Sequence, residues 1–394
     1  MRSIAVCGKL VQGLAREGSH FEEIELNGVQ VTCGLIHTER PDFDELAPVN
    51  RSHVLVNIKA FSCNYRDRGL LFAALSKGLD KSYYVVGSEF VGEIVAVGPD
   101  VIDLAIGDRV IGNNSYVGFM SGPEGVPTNH ASKEYQIFDQ SKLIRIPAQM
   151  PDTIAAAFSL NSQTAYSMLR KLDLKAGSKI LITAAKSNVS LFVLNALRKS
   201  DVNIFATSTS LSFETRLKEL GVAELIKINH LPDGSIDQLS LREAASRIGP
   251  FDAVIDPFYD VHFGSTLGLL APGGKYITCG LVGLKQGSNG DQEPRNGPTM
   301  MDSLQFAVLR NVQFLGNCLG STEDLSNAIH DFTQDSYNVT IDSVYHGDQI
   351  GSFFNHTFGE RERFGKVVYV FDSANASSVN GGFVDHTSKP TAGQ

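Results

Sequence analysis

The order of apolar and polar positions divides the chain into stretches that predict different secondary structure. From about residue 54 to 139, alternating segments such as VLVNIKAF and VGEIVAVG end at glycines, which predicts short β-strands joined by tight turns. A further strand is predicted at Val29–His37. Residues 335–371 show the same β-strand pattern again and end in GKVVYVFD. We expect these parts to form one compact, barrel-like β domain.

A different pattern begins near residue 178. Short apolar segments at 179–184, 202–207, 251–257, 273–280 and 311–317, together with ELIKI, have the length of buried strands. Helical spacing follows in NVSLFVLNALRK, in FETRLKELG, which ends at Gly221, and around 239–248 and 267–270. Strands and helices alternating at this spacing predict a doubly wound Rossmann domain, with helices on both faces of a parallel sheet.

The simplest organisation has the chain leave the β domain, build the nucleotide domain and return. The fold class is then α/β, with a catalytic β domain at 1–160 and 335–371 and a nucleotide domain at 161–334. Residues 372–394 are rich in Ser, Gly, Asn and Pro and are expected to be disordered. The polar stretch 285–298 is equally compatible with a mobile flap and with an inert surface insertion.

Composition narrows the class of protein. The 394 residues carry a formal net charge of -9 with no run of Lys or Arg, which argues against nucleic acid or an anionic membrane as a partner. No apolar stretch has the length of a membrane span and the N-terminus lacks a signal-peptide pattern. The five cysteines include no CxxC, which indicates reduced thiols and a cytoplasmic location.

The segment VVGSEFVGEIVAVGPDVIDLAIGDRVIG (85–112) resembles the signature of the medium-chain dehydrogenase/reductase superfamily. That signature has an acid between spaced glycines and closes on Gly-Asp-Arg-Val. The matching positions are Gly87, Glu89, Gly92, Gly98, Gly107 and Asp108. The resemblance covers residues 50–371 and implies a GroES-like β-barrel catalytic domain followed by a Rossmann domain.

The zinc-dependent branch of this superfamily is excluded because this chain lacks the zinc ligands of that branch. A catalytic zinc needs three side chains with suitable lone pairs, commonly Cys and His. At the matching positions this chain has Asn64 and Ser88, and Cys63 would point to the opposite face of its strand. The histidines show no metal spacing and are expected at the surface. The sequence therefore predicts no metal.

Zinc-free branches include quinone oxidoreductases, enoyl-thioester reductases, polyketide synthase enoyl reductases and reductive carboxylases of crotonyl-type thioesters. CNYRD (63–67) and LNSQTAYSML (160–169) resemble segments of these enzymes. The resemblance implies NADPH-dependent hydride transfer to an activated C=C bond in a small-molecule or carrier-bound acyl substrate, by a homodimer. A quinone oxidoreductase and a non-catalytic scaffold with a degenerate nucleotide site are the alternatives.

The turn that would hold the pyrophosphate contains the main anomaly. Three positions that usually carry glycine are Ala185, Ser187 and Ser190. Side chains of Lys186, Ser187 and Asn188, beside Val189, could bind phosphate in their place. The competing interpretation is that the nucleotide site has decayed.

The loop after the second nucleotide strand favours NADPH. NAD enzymes place an acid there, whereas this loop carries hydroxyls at Thr207, Ser208, Thr209 and Ser210, with Arg216 one turn further on. Hydroxyls and a guanidinium suit a 2′-phosphate, although Ser and Thr also favour ordinary polar loops.

The resemblance implies the remaining contacts. Asn64 and Tyr65 occupy the catalytic segment, and Tyr65, Tyr83, Tyr84 or bulk water could donate the proton. Further cofactor positions implied in this way are Thr164, Gly280, Leu281, Val282, Gly320 and Lys366.

Overall fold

The structure is a computed structural model that describes residues 1–8, 17–76, 78, 83–115, 129–231, 236–281, 300–360 and 362–372. The proposed flap at 285–298, Val282 and the expected tail beyond Asp372 lie outside the described residues.

The secondary structure alternates as the sequence pattern indicates. The strands, in chain order, are β1 Arg2–Cys7, β2 His20–Leu26, β3 Val29–His37, β4 His53–Ser62, β5 Tyr83–Val85, β6 Glu89–Val97, β7 Arg109–Gly112, β8 Tyr135–Asp139, β9 Leu143–Arg145, β10 Ser178–Ile182, β11 Val202–Ser208, β12 Val222–Lys227, β13 Phe251–Asp256, β14 Leu270–Thr278, β15 Gln313–Gly316, β16 Ile341–His346 and β17 Lys366–Val370. The helices are α1 Tyr65–Ser76, α2 Asp152–Ala155, α3 Ser159–Leu172, α4 Asn188–Leu197, α5 Glu214–Glu219, α6 Gln238–Ile248, α7 Tyr259–Thr266, α8 Met300–Arg310, α9 Thr322–Thr333 and α10 Ile350–Phe358.

Two sheets build the β-rich part of the described chain. One has the order β2-β3-β1-β5, and the other has the order β16-β17-β4-β6-β7-β9 with β8 also paired to β4. Most pairs are antiparallel, and β16 runs parallel to β17. The C-terminal strand β17 pairs with β4, so the end of the chain returns to the first domain. Aromatic side chains such as Phe61, Phe90 and Phe353 fill the core here.

The second part contains a parallel sheet with the order β12-β11-β10-β13-β14-β15. The buried residues of its central strands are mostly apolar because helices cover both faces, which confirms the Rossmann-type arrangement expected from the apolar runs. The order reverses between β10 and β13, and in open α/β sheets ligands bind where it does so.

Two details differ from the sequence-based expectation. Residues 267–270 do not form an α-helix, because a 3₁₀ turn at Leu267–Leu269 ends α7 and Leu270 already pairs with Phe251 as the first residue of β14. The last strand is shorter than 311–317 and lies at the sheet edge as β15. Within the described part of the chain, the search for a helix long and apolar enough to cross a membrane finds none.

Candidate functional site

A cluster of buried polar side chains joins the β-rich part to the first helix of the nucleotide part. Lys366 Nζ lies 2.5 Å from Glu89 Oε2, 2.9 Å from Asn64 Oδ1 and 3.1 Å from the Cys63 carbonyl oxygen. The three N–H bonds of the ammonium group therefore each have an acceptor. The first residues of β17 and β6 meet the end of β4 here, so strand pairing brings the three side chains together.

The helix α3 contributes the other side of this cluster. The amide nitrogen of Leu160 donates to Glu89 Oε1 at 2.7 Å, and Asn161 Nδ2 donates to Asn64 Oδ1 at 2.8 Å. Glu89 and Lys366 are both 0% exposed. A buried charge pair is tolerated only when its remaining hydrogen-bonding atoms are satisfied, as they are here.

From the sequence, Asn64 is expected in the catalytic segment. Both polar atoms of its side chain are hydrogen bonded to other residues of the protein. Its Oδ1 accepts from Lys366 and Asn161, and its Nδ2 donates to Ser88 Oγ at 2.9 Å and to Glu89 Oε2 at 2.7 Å. In this arrangement Asn64 positions the surrounding chain and has no hydrogen bond left for a ligand.

The two positions that carry zinc ligands in the zinc-dependent branch are thus adjacent in space but hold an amide and a hydroxyl. Cys63 packs in the core of the β-rich part, where burial raises the pKa of its thiol well above the ordinary value. Over the residues that the structure describes, no group of three or more His, Cys, Asp or Glu side chains could hold a metal ion.

Asp67 anchors the loop that carries Ser88. Its carboxylate accepts from the Asn64 amide at 2.7 Å, the Ser88 hydroxyl at 2.5 Å and the Gly87 amide at 3.2 Å. Burial raises the pKa of Asp67, although these donors and the charge of Lys366 oppose the rise. A buried acid on the first turn of α1 therefore fixes the start of α1 and the loop that carries Ser88.

Tyr65, one of the three tyrosines considered as proton donor, faces the nucleotide part of the chain. Its side chain is 46% exposed, and its ring meets that of Phe258 edge-on at 6.0 Å. The Arg68 guanidinium lies 5.2 Å from the Tyr65 ring centroid. Of the other two candidates, Tyr83 is exposed and Tyr84 packs edge-on against His130. Tyr65 is therefore the tyrosine placed between the two parts of the fold.

The glycine-poor turn after β10 does not need glycine at the three aligned positions. Among its described residues only Ala184 has a positive φ, of 45°, whereas the aligned positions Ala185, Ser187 and Ser190 do not. Ser187 Oγ caps α4 by accepting from the Ser190 amide at 3.2 Å, and Ser190 Oγ donates to the Thr183 carbonyl at 2.8 Å. These two hydroxyls serve the turn itself.

The two loops predicted to bind the cofactor lie against each other. The Ala184 amide donates to Thr207 Oγ1 at 3.2 Å, and Lys186 Nζ donates to Ser210 Oγ at 3.0 Å. Thr209 is exposed, whereas Ser208 is buried.

Other expected cofactor residues play local roles in the fold. Thr164 Oγ1 donates to the Leu160 carbonyl of its own helix at 2.8 Å. A Cβ atom at Gly280 would lie 2.6 Å from the Pro257 carbonyl, and one at Gly320 would lie 2.3 Å from the Gln163 carbonyl. Lys366 belongs to the Glu89 cluster and makes its hydrogen bonds there. Leu281 is partly exposed beside Gly280.

Sequence reasoning missed a second buried cluster, at the point where the strand order reverses. Asp256, at the end of β13, accepts from Thr183 Oγ1 at 2.6 Å, from His262 Nδ1 at 2.8 Å and from the hydroxyl of Tyr276. Burial would raise the pKa of Asp256, but the hydrogen bonds outweigh it and leave the pKa below its ordinary value. His262 is 4% exposed, so its expected surface location is wrong. The sequence signal that could have indicated this cluster is an Asp at the end of a strand with a His six residues later.

The turn and the reversal point fit a dinucleotide. The first amides of α4 have no partner within the helix, and a small buried residue, Ala185, leaves the backbone accessible. Asn188 Oδ1 is buried and has no partner within the described residues, so it could accept a hydrogen bond from a ligand. Lys186 and Ser210 add donors beside this turn. The residues present therefore suit a phosphate-bearing cofactor.

Comparison with known proteins agrees with this geometry. Residues 50–148 match the alcohol dehydrogenase GroES-like domain family. The chain is 28% identical over 240 residues to the spectinabilin polyketide synthase system protein NorB of Streptomyces orinoci, which is 61% of this chain and 10% of that protein. It is 26% identical over 348 residues to a mycocerosic acid synthase-like polyketide synthase of Mycobacterium tuberculosis, which is 86% of this chain and 15% of that protein.

The fold is shared with a solved structure of an NAD-dependent alcohol dehydrogenase. The TM-score is 0.71 at 21% identity, covering 94% of this chain and 100% of the other. The resemblance seen in the glycine-spaced motif is confirmed. The chain therefore combines an alcohol dehydrogenase GroES-like domain at residues 50–148 with a parallel Rossmann-type sheet, and it shares the fold of that alcohol dehydrogenase structure.

Proposed function

We propose that the protein uses NADPH to reduce an activated C=C bond without a catalytic zinc. The observation that carries this proposal is the pairing of Asn64 and Ser88. They stand at the positions compared with zinc ligands, and there the Asn64 amide donates a hydrogen bond of 2.9 Å to the Ser88 hydroxyl. Both groups are weak ligands for zinc beside thiolate and imidazole. A substrate whose own carbonyl delocalises the developing charge has less need of a metal Lewis acid.

The chemistry divides between cofactor and protein. A bound nicotinamide dinucleotide would supply the hydride that adds to the β-carbon, while a proton adds to the α-carbon. Tyr65 is our candidate proton donor, because its half-exposed phenol stands opposite Phe258 at the junction of the two parts. The cluster of Asn64, Glu89 and Lys366 holds the segment that carries Tyr65.

The preference for NADPH over NADH is supported by the donors beside the nucleotide turn. Lys186 and Ser210 are hydrogen bonded to each other, and the Arg216 guanidinium lies 4.1 Å from the ring centroid of Phe364. The Phe364 ring lies 5.0 Å from the Phe213 ring, and Lys186 Nζ lies 5.6 Å from Phe213, so the lysine and the arginine flank one aromatic pair. With the serine beside the lysine, they suit a phosphate group.

An enoyl thioester is the substrate class that we propose. The polyketide synthases that match this chain are far longer, and the chain spans about a tenth of the first of them. Together with the resemblance of CNYRD to enoyl reductase segments, this similarity supports an acyl chain carried on a thiol. The carrier could be a protein or a small molecule.

We also propose a homodimer. The strand β15 has no neighbour on its outer edge within the described sheet, and unpaired edges tend to be covered. The preceding helix α8 exposes apolar side chains, namely Met301, Leu304, Val308 and Leu309. A second copy that pairs at β15 would cover part of this surface.

An assay that follows NADPH oxidation at fixed dinucleotide concentration tests these assignments. We expect oxidation with a crotonyl thioester and little with a benzoquinone. Turnover of the quinone alone would favour a quinone oxidoreductase. Dinucleotide fluorescence measures binding of NADPH and NADH. If the protein binds neither, the scaffold interpretation remains.

A further inference from the structure

An acidic side chain from a distant part of the chain lies at the proposed cofactor site. Glu362 Oε1 and Oε2 lie 3.2 and 3.3 Å from Lys186 Nζ, and Glu362 Oε2 accepts from Ser210 Oγ at 3.4 Å. Glu362 stands just before β17, so the loop that leads into the β-rich part reaches across to the nucleotide turns.

The donors around this carboxylate form an anion site. Lys186 Nζ lies 5.6 Å from the Phe213 ring centroid, and the Lys186 side chain is only 14% exposed. Ser210 Oγ is 3.1 Å from Ser212 Oγ. Hydrogen bonds from Ser212 and Lys186 lower the pKa of Glu362, so the carboxylate is charged at neutral pH. An ammonium group with two serine hydroxyls can bind a phosphate as well as a carboxylate.

We infer that Glu362 occupies the subsite that a ribose 2′-phosphate requires and thereby controls the choice between NADPH and NADH. This inference rests on the proposed function. A 2′-phosphate carries about two negative charges at neutral pH, so it cannot share Lys186 with a charged carboxylate at these distances without strong repulsion. A free 2′-hydroxyl, in contrast, can donate a hydrogen bond to the carboxylate.

Binding of NADPH therefore requires Glu362 to withdraw. The side chain is 51% exposed, so it can turn into solvent without breaking the core. Withdrawal costs the hydrogen bonds from Lys186 and the serines, and this cost lowers the apparent affinity for the phosphorylated cofactor. NADH needs no such withdrawal, so Glu362 reduces, without reversing, the preference for NADPH that Lys186, Ser210 and Arg216 would otherwise give.

The test measures binding of adenosine 2′,5′-bisphosphate and of adenosine 5′-monophosphate by calorimetry at constant ionic strength. The neutral variant Glu362→Gln should bind the bisphosphate about tenfold more tightly than the parent, with little change for the monophosphate. Glu219→Gln is the matched control, because Glu219 is an exposed acid on the neighbouring helix α5. It should leave both affinities unchanged.

The outcomes separate this inference from the proposed function. Equal bisphosphate affinity in the parent and in Glu362→Gln would overturn the role of Glu362, while NADPH binding by the parent would keep the reductase assignment. A gain of the same size in Glu219→Gln would also overturn it, since the effect would then be one of overall charge. Absence of NADPH and NADH binding in every variant would overturn both.

Discussion

The Nζ atom of Lys366 and the Oε2 atom of Glu89 are 2.5 Å apart, and neither side chain is exposed to solvent. The two residues are 277 positions apart in sequence, and they bring the last described strand to the start of β6. Through the Leu160 amide, Glu89 also holds the first turn of α3. This ion pair therefore connects the C-terminal strand, the glycine-spaced motif and the entry to the nucleotide part.

Removing the lysine should be costly. Lys366→Met leaves the Glu89 carboxylate buried without its cation, and we expect the free energy of unfolding to fall by about 3–5 kcal/mol. Urea unfolding measures this change. Lys218→Met is the control, because Lys218 pairs with Glu214 on an exposed helix face and should cost at most about 0.5 kcal/mol. Equal costs in the two variants would contradict a tightly coupled buried pair.

A double variant separates the charge from the packing. Glu89→Gln combined with Lys366→Met removes both charges and should recover part of the stability lost in Lys366→Met alone, because no uncompensated charge is left. No recovery would show that packing, and not charge, sets the cost.

In the nucleotide turn, replacing either of two neighbouring alanines by glycine should change the stability in opposite directions. Ala184 has a φ of 45°, which disfavours a residue with a Cβ atom by about 1–2 kcal/mol, so Ala184→Gly should be neutral or stabilising by about 1 kcal/mol. Ala185 has no such strain, and Ala185→Gly should cost about 0.5–1 kcal/mol. Thermal unfolding of the two variants tests the signs. Stabilisation by Ala185→Gly and not by Ala184→Gly would contradict the described turn.

Replacing Tyr65 tests the proton donor. Tyr65→Phe keeps the ring against Phe258 and removes the hydroxyl, so kcat on an enoyl thioester should fall by about 100-fold or more with unchanged NADPH affinity. Tyr83→Phe, at another exposed tyrosine, is the control and should have little effect. If both variants turn over like the parent, neither tyrosine is the donor, which leaves Tyr84 and bulk water.

The edge strand predicts the assembly. Light scattering at micromolar concentration should give the mass of a dimer. Phe314→Glu places a charge on β15, where Phe314 is 37% exposed, and should shift the population toward monomer. Asp103→Asn, at an exposed loop position before β7 in the β-rich part, should leave the mass unchanged. A monomeric parent would contradict the proposed pairing.

Much of the fold could be predicted because its signals are local. The strands of the parallel sheet are apolar runs such as KILI, since helices cover both of their faces. The positions compared with zinc ligands, Asn64 and Ser88, are assigned through the family resemblance of the segments that carry them. The structure adds that these two side chains are hydrogen bonded.

The remaining site could not be predicted because its contacts join distant parts of the chain. The loop after β11 lacks an acid in sequence, yet Glu362 reaches Ser210 from 152 positions away. The left-handed residue proved to be Ala184, one position before the aligned glycine site, because the turn geometry and not the residue type decides which φ is positive. His262 is buried because Asp256 supplies its partner, and a histidine alone in sequence carries no sign of that carboxylate.

The position of the transferred hydrogen shows directly whether the protein reduces a C=C bond with NADPH. The protein is incubated with a crotonyl thioester and NADPH that carries deuterium at the reactive position of the nicotinamide, and the product is analysed by NMR and mass spectrometry. We expect one deuterium at the β-carbon of a butyryl thioester and a solvent-derived hydrogen at the α-carbon. Oxidation of the dinucleotide without deuterium at the β-carbon, or no reaction at all while NADPH is bound, would contradict it.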